Sequence, residues 1–116
     1  MTVKRIVANL PAGEPAALAA FYRDLFALET VMDHGWILTL AGSGTHRAQL
    51  GFASEGGNGT PVPDLSIEVE DVDALHARAV AAGHAIVYGP ADEPWGVRRF
   101  FLRDPAGRLI NVLSHR

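Results

Sequence analysis

The side chains to test first for chemistry are the five histidines, His34, His46, His76, His84 and His115. A cation held by imidazoles wants them one helical turn apart or on one strand face. No pair here has that spacing. His34 falls in a turn, and His46 stands at the start of a strand beside Arg47. His76 and His84 belong to a helix and its exit, facing solvent, and His115 is the next-to-last residue. All five read as surface or edge residues. The absence of cysteine removes thiolate nucleophiles, disulfides and zinc ribbons, and it suits a reducing compartment. Ser43, Ser54, Ser66 and Ser114 lack an elbow motif or a local base. Gly56-Gly57-Asn58-Gly59 has no Lys-Ser/Thr after it and no following helix, so it is not a phosphate loop. Glu68 and Glu70 alternate on one strand, forming either a carboxylate pair or a plain polar face.

The two tryptophans carry more information. Trp36 follows Gly35 at a strand start, and Trp95 lies between Pro94 and Gly96 in a loop. Tryptophan is costly to expose and often lines pockets or interfaces. Trp36 fits a core or dimer contact as well as a ligand contact. Trp95, held between a proline and a glycine, fits a ligand contact better.

The elements that would position these residues follow from periodicity and turn chemistry. Val3 to Leu10 is a strand ended by Pro11-Ala12-Gly13. Pro15 opens a helix in which Leu18, Phe21, Leu25 and Leu28 form one apolar face, widened by Tyr22, Phe26 and the alanines. Strands follow at Val31-Met32, Trp36 to Leu40 and Ala48 to Phe52, separated by turns at Asp33-His34-Gly35 and Gly42-Ser43-Gly44. The stretch from Glu55 to Pro63 has the composition of a flexible linker. The second half repeats the order. Leu65 to Val69 is a strand, and Asp71 or Asp73 caps a helix carrying Val72, Leu75 and Ala79, closed near Gly83. Ala85 to Tyr88 is a strand, followed by a loop through Pro90, Pro94 and Gly96. Val97 to Leu102 and Leu109 to Leu113 are strands joined by a tight turn at Asp104-Pro105-Ala106-Gly107. The expected fold is α+β: paired βαβββ modules, each curling its sheet into a half-barrel, around a cleft that is the natural place for a ligand. Module one spans 1–55, a linker 56–63 and module two 64–116.

Composition agrees with one domain. The chain has 116 residues, is 48% hydrophobic and 20% charged, and carries a formal charge of −3. Nothing resembles the basic footprint of a nucleic-acid binder. The first residues are too broken by Pro11, Glu14 and Pro15 for a membrane span or signal peptide, so a cytoplasmic protein is expected. Asp64, Glu68, Glu70, Asp71 and Asp73 form an acidic stretch, while Arg98, Arg99, Arg103, Arg108 and Arg116 crowd the last twenty positions. The two stretches either face each other across a sheet or mark different surfaces.

From Asp92 to Gly107, DEPWGVRRFFLRDPAG, followed by Leu109-Ile110-Asn111-Val112, the sequence resembles the C-terminal signature of the bleomycin resistance proteins. These belong to the glyoxalase/bleomycin resistance/dioxygenase, or vicinal oxygen chelate, superfamily. Phe21-Tyr22-Arg23-Asp24-Leu25-Phe26 is similar to that family's first-helix motif. The resemblance implies paired βαβββ modules, a homodimer, and a ligand in a cleft at the dimer interface. Metal-dependent members take four ligands, typically His, Glu or Gln, His and Glu, from the first and last strands of each module. Those positions fall near Arg5 or Val7, at Gln49, at Asp64 and at Asn111, and none is histidine. Divalent cations need several charged or imidazole donors to offset dehydration. The resemblance therefore implies a metal-free member with no catalytic residues and no cofactor, sequestering a small molecule such as a glycopeptide antibiotic. Its ligand-binding residues would be Trp36, Gln49, Asp64, Glu68, Trp95 and Asn111. Two features depart from the drug-binding members. Ser66 and Glu68 stand where aromatics would, and the charge of −3 is modest for a binder of cationic drugs. The alternatives are a metal-dependent lyase, isomerase or dioxygenase with an ion at Gln49 and Asp64, and an accessory dimerisation module without ligand.

Overall fold

The computed structural model describes residues 2–45 and 48–116. His46 and Arg47, read above as a strand start, lie outside the described residues. The elements are β1 (Val3–Pro11), α1 (Pro15–Phe26), β2 (Glu29–Asp33), β3 (Ile37–Ala41), β4 (Gln49–Ala53), β5 (Leu65–Val69), α2 (Val72–Ala81), β6 (Ile86–Glu93), β7 (Val97–Arg103) and β8 (Leu109–His115). Strand, helix and three strands occur twice, giving the expected α+β fold. Two compact units result: Val7–Val62, the N-terminal unit, and Pro63–Arg116 together with Met1–Ile6, the C-terminal unit. The first residues of β1 thus cluster with the second module. No helix among the described residues is long and apolar enough to cross a membrane.

In the N-terminal unit the strand order is β2-β3-β4-β1, with β4 parallel to β1 (Ala8 opposite Leu50) and antiparallel to β3. Leu38, Leu40 and Phe52 form its core with Ala19, and Leu18, Tyr22 and Leu50 pack around them. The helix therefore docks through Pro15, Leu18, Ala19 and Tyr22, while Phe21, Leu25 and Phe26 of the expected face turn away from the core. Phe21 is 58% exposed, Leu25 65% and Phe26 59%. Two apolar stripes at helical spacing share this helix. The one bearing the small Ala19, which is fully buried, lets the backbone approach the sheet. Leu28 packs on the core from beyond the helix end, after Ala27 closes α1 with φ of 53°.

The glycine-rich stretch that reads as a flexible linker is a tied turn. Gly56 N–H donates to Thr60 O (2.7 Å), Thr60 N–H and hydroxyl both donate to Gly57 O (3.1 and 2.8 Å), and Gly59 N–H donates to Glu55 Oε1 (3.1 Å). Gly56 is required there, since a Cβ on it would lie 2.0 Å from Pro61 O.

In the C-terminal unit the order is β5-β8-β7-β6, with β5 parallel to β8 (Leu65 opposite Ile110). Asp71 caps α2, its Oδ1 accepting from Ala74 N–H at 3.1 Å. Val72 and Ala79 pack on Val69, Phe100, Ile110 and Val112, with Leu75 beside them, as the spacing predicts. The stretch after Tyr88 is not a loop, because β6 continues to Glu93 with register shifts flanking Tyr88. Pro90 is tolerated because β6 is the edge strand, where no ladder donor is needed on the outer side. Gly89, at φ 78°, lies so close to β7 that a Cβ would meet Arg99 O at 2.5 Å. The Asp104 turn forms as expected. Its Oδ1 accepts from Ala106 and Arg108 N–H (both 2.9 Å), and Gly107 takes φ of 86°.

The two modules correspond position by position. Pro15 and Val72 open the two helices, and Ala8–Leu50 and Leu65–Ile110 begin the two parallel pairings. On that alignment Leu18 matches Leu75, Leu40 matches Leu102, Tyr22 matches Ala79 and Phe52 matches Val112. The repeat is thus visible in the packing although little of it survives in residue identity.

Candidate functional site

Alternation along the C-terminal unit's strands sends Leu65, Ile67, Phe100, Leu102, Ile110 and Val112 toward α2. Residues between them face the other way. Register aligns Ser66 with Asn111 and Phe101, and Glu68 with Leu113 and Arg99. This second face carries the polar chemistry.

Its most buried feature is an ion pair. Arg99 Nη2 lies 2.6 Å from Glu93 Oε2, with the two side chains 3% and 2% exposed. Tyr88 hydroxyl donates to the same oxygen at 3.0 Å. Three rings surround the guanidinium: its Cζ lies 5.3 Å from the Tyr88 centroid, 4.9 Å from Trp95 and 4.7 Å from Phe101. Cation–π contacts of this kind add to the pair because the site is desolvated.

Glu68 holds a second network. Arg5 Nε is 2.6 Å from its Oε1, and His115 Nδ1 is 2.9 Å from its Oε2. Burial alone would push the Glu68 carboxyl up, but hydrogen bonds and charge from His115 and Arg5 outweigh it and hold the group below its usual 4.5. A carboxylate with a depressed folded value contributes stability above its unfolded value, and loses it as pH falls through the folded value. Wild type should therefore lose stability on acidification below about pH 4.5, whereas Glu68→Gln should lose less over the same range, read from urea midpoints across a pH series. Identical pH slopes would refute this assignment.

Two residues along β8 from Leu113, which separates Glu68 from Arg99, lies Asn111, 8% exposed, whose Nδ2 donates to Ser66 Oγ at 3.1 Å. Its Oδ1 is buried without a hydrogen-bond partner among the described residues. A buried acceptor left unmade costs about 1–3 kcal/mol, so it marks a place where a donor is wanted. The N-terminal unit keeps a related amide at the matching crossing. Asn9, 7% exposed, stands over Gly51, where a Cβ would be 2.3 Å from its Oδ1.

The residues expected to bind ligand fall as follows. Glu68 and Asn111 share the polar face, two residues apart in register. Trp95 lies in the turn between β6 and β7, half-buried and packed over Arg99. Asp64 is in the same unit but holds backbone: its Oδ2 accepts from Leu109 N–H at 2.8 Å. Trp36 and Gln49 belong to the N-terminal unit, Trp36 stacked with His34 at 6.4 Å and Gln49 opposite Ala41 at the start of β4. The roles of Arg99, Glu93, Tyr88, Arg5 and His115 are not evident from the sequence motifs. The signal for Arg99 is its place between Val97 and Phe101, which puts a charge on an otherwise apolar strand face.

The acidic and basic stretches meet at Asp73, which Arg98 and Arg116 both reach. Arg98 lies 3.0 Å from Asp73 and 3.3 Å from Asp92, and Arg116 lies 3.5 Å from Asp73. The Arg98 hydrogen bond holds the Asp73 carboxyl below its usual value. With Glu68 bound by Arg5 and His115, these carboxylates do not form the unbalanced acidic field that would draw a cationic ligand.

A module of strand, helix and three strands, given twice, with parallel outer pairing in each unit, defines the chain's class: it belongs to the glyoxalase/bleomycin resistance protein/dioxygenase superfamily, whose family model matches residues 3–112. Among particular proteins, it is 33% identical over 108 residues to "Putative glyoxylase CFP32" of Mycobacterium bovis and of Mycobacterium tuberculosis, covering 87% of this chain. It spans only 40% of the length of those relatives. The fold is similar to that of a structure described as an NAD-dependent benzaldehyde dehydrogenase from Legionella pneumophila (TM-score 0.78, 17% identity, 97% of this chain and all of that one). It is also similar to Streptomyces coelicolor methylmalonyl-CoA epimerase in complex with 2-nitronate-propionyl-CoA (TM-score 0.70, 20% identity, 98% and 96% coverage).

The family's metal-dependent members set a test for the donor positions, and the residues here do not fit an ion. Val7 offers no donor, and Arg5 is a cation paired with Glu68. Asp64 is committed to Leu109 N–H, and Asn111 is neutral. No three of His, Cys, Asp and Glu gather where they could hold a metal among the described residues.

Proposed function

We propose that the chain is a metal-independent small-molecule binding protein of the bleomycin-resistance kind, which works as a homodimer and takes its ligand on the polar face of the C-terminal unit. The observation that carries this reading is Asn111. Its Oδ1 is a buried acceptor with no partner among the described residues, on a face that also bears Ser66 and Glu68. A ligand group bearing N–H or O–H, such as the amides and hydroxyls of a glycopeptide, would satisfy it. At two of the family's four donor positions, Arg5 or Val7 and Asn111 offer neither an imidazole nor a carboxylate, which supports binding over metal-assisted turnover.

The test uses the two tryptophans. Titration with metal-free bleomycin should give a saturable change in intrinsic fluorescence at micromolar drug or below, weakened on the order of tenfold in Asn111→Ala, the loss of one good hydrogen bond in a desolvated site. A flat titration would remove bleomycin-type binding. A tightly held stoichiometric metal in the purified protein would overturn the metal-independent reading and return the chain to the family's enzymes.

A further inference from the structure

The C-terminal unit contains a cavity on the side of its sheet opposite Asn111, beneath α2. It has a volume of about 340 Å³, and Ile67, Leu75, Ala79, Phe100, Leu102 and Val112 are among its lining residues. The internal repeat shows where this space comes from. In the N-terminal unit the matching helix position is Tyr22, whose ring lies 5.2 Å from that of Phe52 and closes the gap between helix and sheet. In the C-terminal unit the same two places hold Ala79 and Val112, and the position matching Leu25, just past the end of α2, is Ala82. Two aromatic side chains are thus replaced by small ones without the helix collapsing onto the sheet.

Four polar residues, Arg78, His84, Arg103 and Asp104, also line the cavity, two of them arginines. Asp104 uses Oδ1 to accept from Ala106 and Arg108 N–H, which fixes the turn. Arg103 reaches Gly107 O with Nη1 at 3.0 Å and keeps its other donors. Arg78 is exposed on α2, one residue before Ala79, and also lines the cavity.

We propose that this cavity is a binding site for an aliphatic monocarboxylate, with the chain laid along the apolar lining and the carboxylate at Arg78 and Arg103. The size falls within the range of small-ligand sites, which pair an apolar interior with a few placed polar groups. Guanidinium groups match the planar, bidentate geometry of a carboxylate. The site lies on the opposite sheet face from Asn111, so it stands or falls separately from the function proposed above.

Calorimetric titration of the full chain with decanoate tests it. Wild type should bind one equivalent saturably. Arg78→Gln should weaken binding on the order of tenfold, as expected for one charge-assisted contact. Decanol should bind more weakly than decanoate and be indifferent to Arg78→Gln. Ala79→Tyr, which restores the aromatic of the other module, should abolish binding. If that variant fails to fold, Ala82→Leu narrows the cavity and should weaken it. Asn111→Ala should leave decanoate binding unchanged. Absence of saturable decanoate binding, or binding indifferent to both Arg78→Gln and the filling variants, would overturn the proposal.

Discussion

Arg99→Met is expected to destabilise the fold by about 3–5 kcal/mol, seen as a fall in the urea midpoint at unchanged slope. The substitution keeps much of the side-chain volume and removes the charge. What remains is Glu93, with its side chain 2% exposed and the Tyr88 hydroxyl still donating to it. An ionised carboxylate in that position has lost the partner that offset its desolvation. Three aromatic rings also lose the cation they surround, and the Trp95 emission spectrum should shift with them. Replacing both partners, Arg99→Met with Glu93→Leu, should recover most of the loss, because keeping the buried carboxylate without its guanidinium costs more than losing the bridge. A cost below about 1 kcal/mol for the single variant would place the pair in the class of exposed salt bridges and refute its described burial.

Phe52→Ala should cost a similar amount, about 3–5 kcal/mol, for a different reason. Phe52 is fully buried among Ala19, Leu38 and Leu40, and the Tyr22 ring lies over it. Truncation leaves a void that helix and sheet are too well fixed to close. The informative control is Phe21→Ala, one helix position from Tyr22. The sequence pattern places Phe21 in the core, which would make its loss as severe. In the structure its side chain is 58% exposed, and the change should stay near 0.5 kcal/mol. Comparing the two urea midpoints decides between the sequence pattern and the structure for this helix.

That contrast shows what could be read from the chain and what could not. The doubled strand-helix-strand order, the cap at Asp71 and the turn at Asp104 are local, written in residues a few positions apart, and they appear where the sequence puts them. The docking face of α1 is not local. Leu18, Phe21, Leu25 and Leu28 make as good a stripe as Pro15, Leu18, Ala19 and Tyr22, and only the sheet beneath decides which is buried. β6 was hidden by its proline, which an edge strand accepts and an inner strand would not. At the candidate site, Glu68, Trp95 and Asn111 were identifiable by residue type and family likeness. Their partners were not, because Arg5, Glu68 and His115 meet across the whole length of the chain. Nor does the sequence show that Asp64, at a donor position, holds the backbone N–H of Leu109.

The parallel pairing within each module also shapes how the chain reaches this fold. Ala8 meets Leu50, and Leu65 meets Ile110, so each parallel ladder begins only after roughly forty residues have been gathered into a loop. The hairpin of β6 and β7 needs nothing more than the short turn at Pro94-Trp95-Gly96. Loop-closure entropy is therefore concentrated at two late contacts, while the hairpins and helices carry the low contact order. The same duplication that builds the two cores gives the chain two such bottlenecks, one in each half.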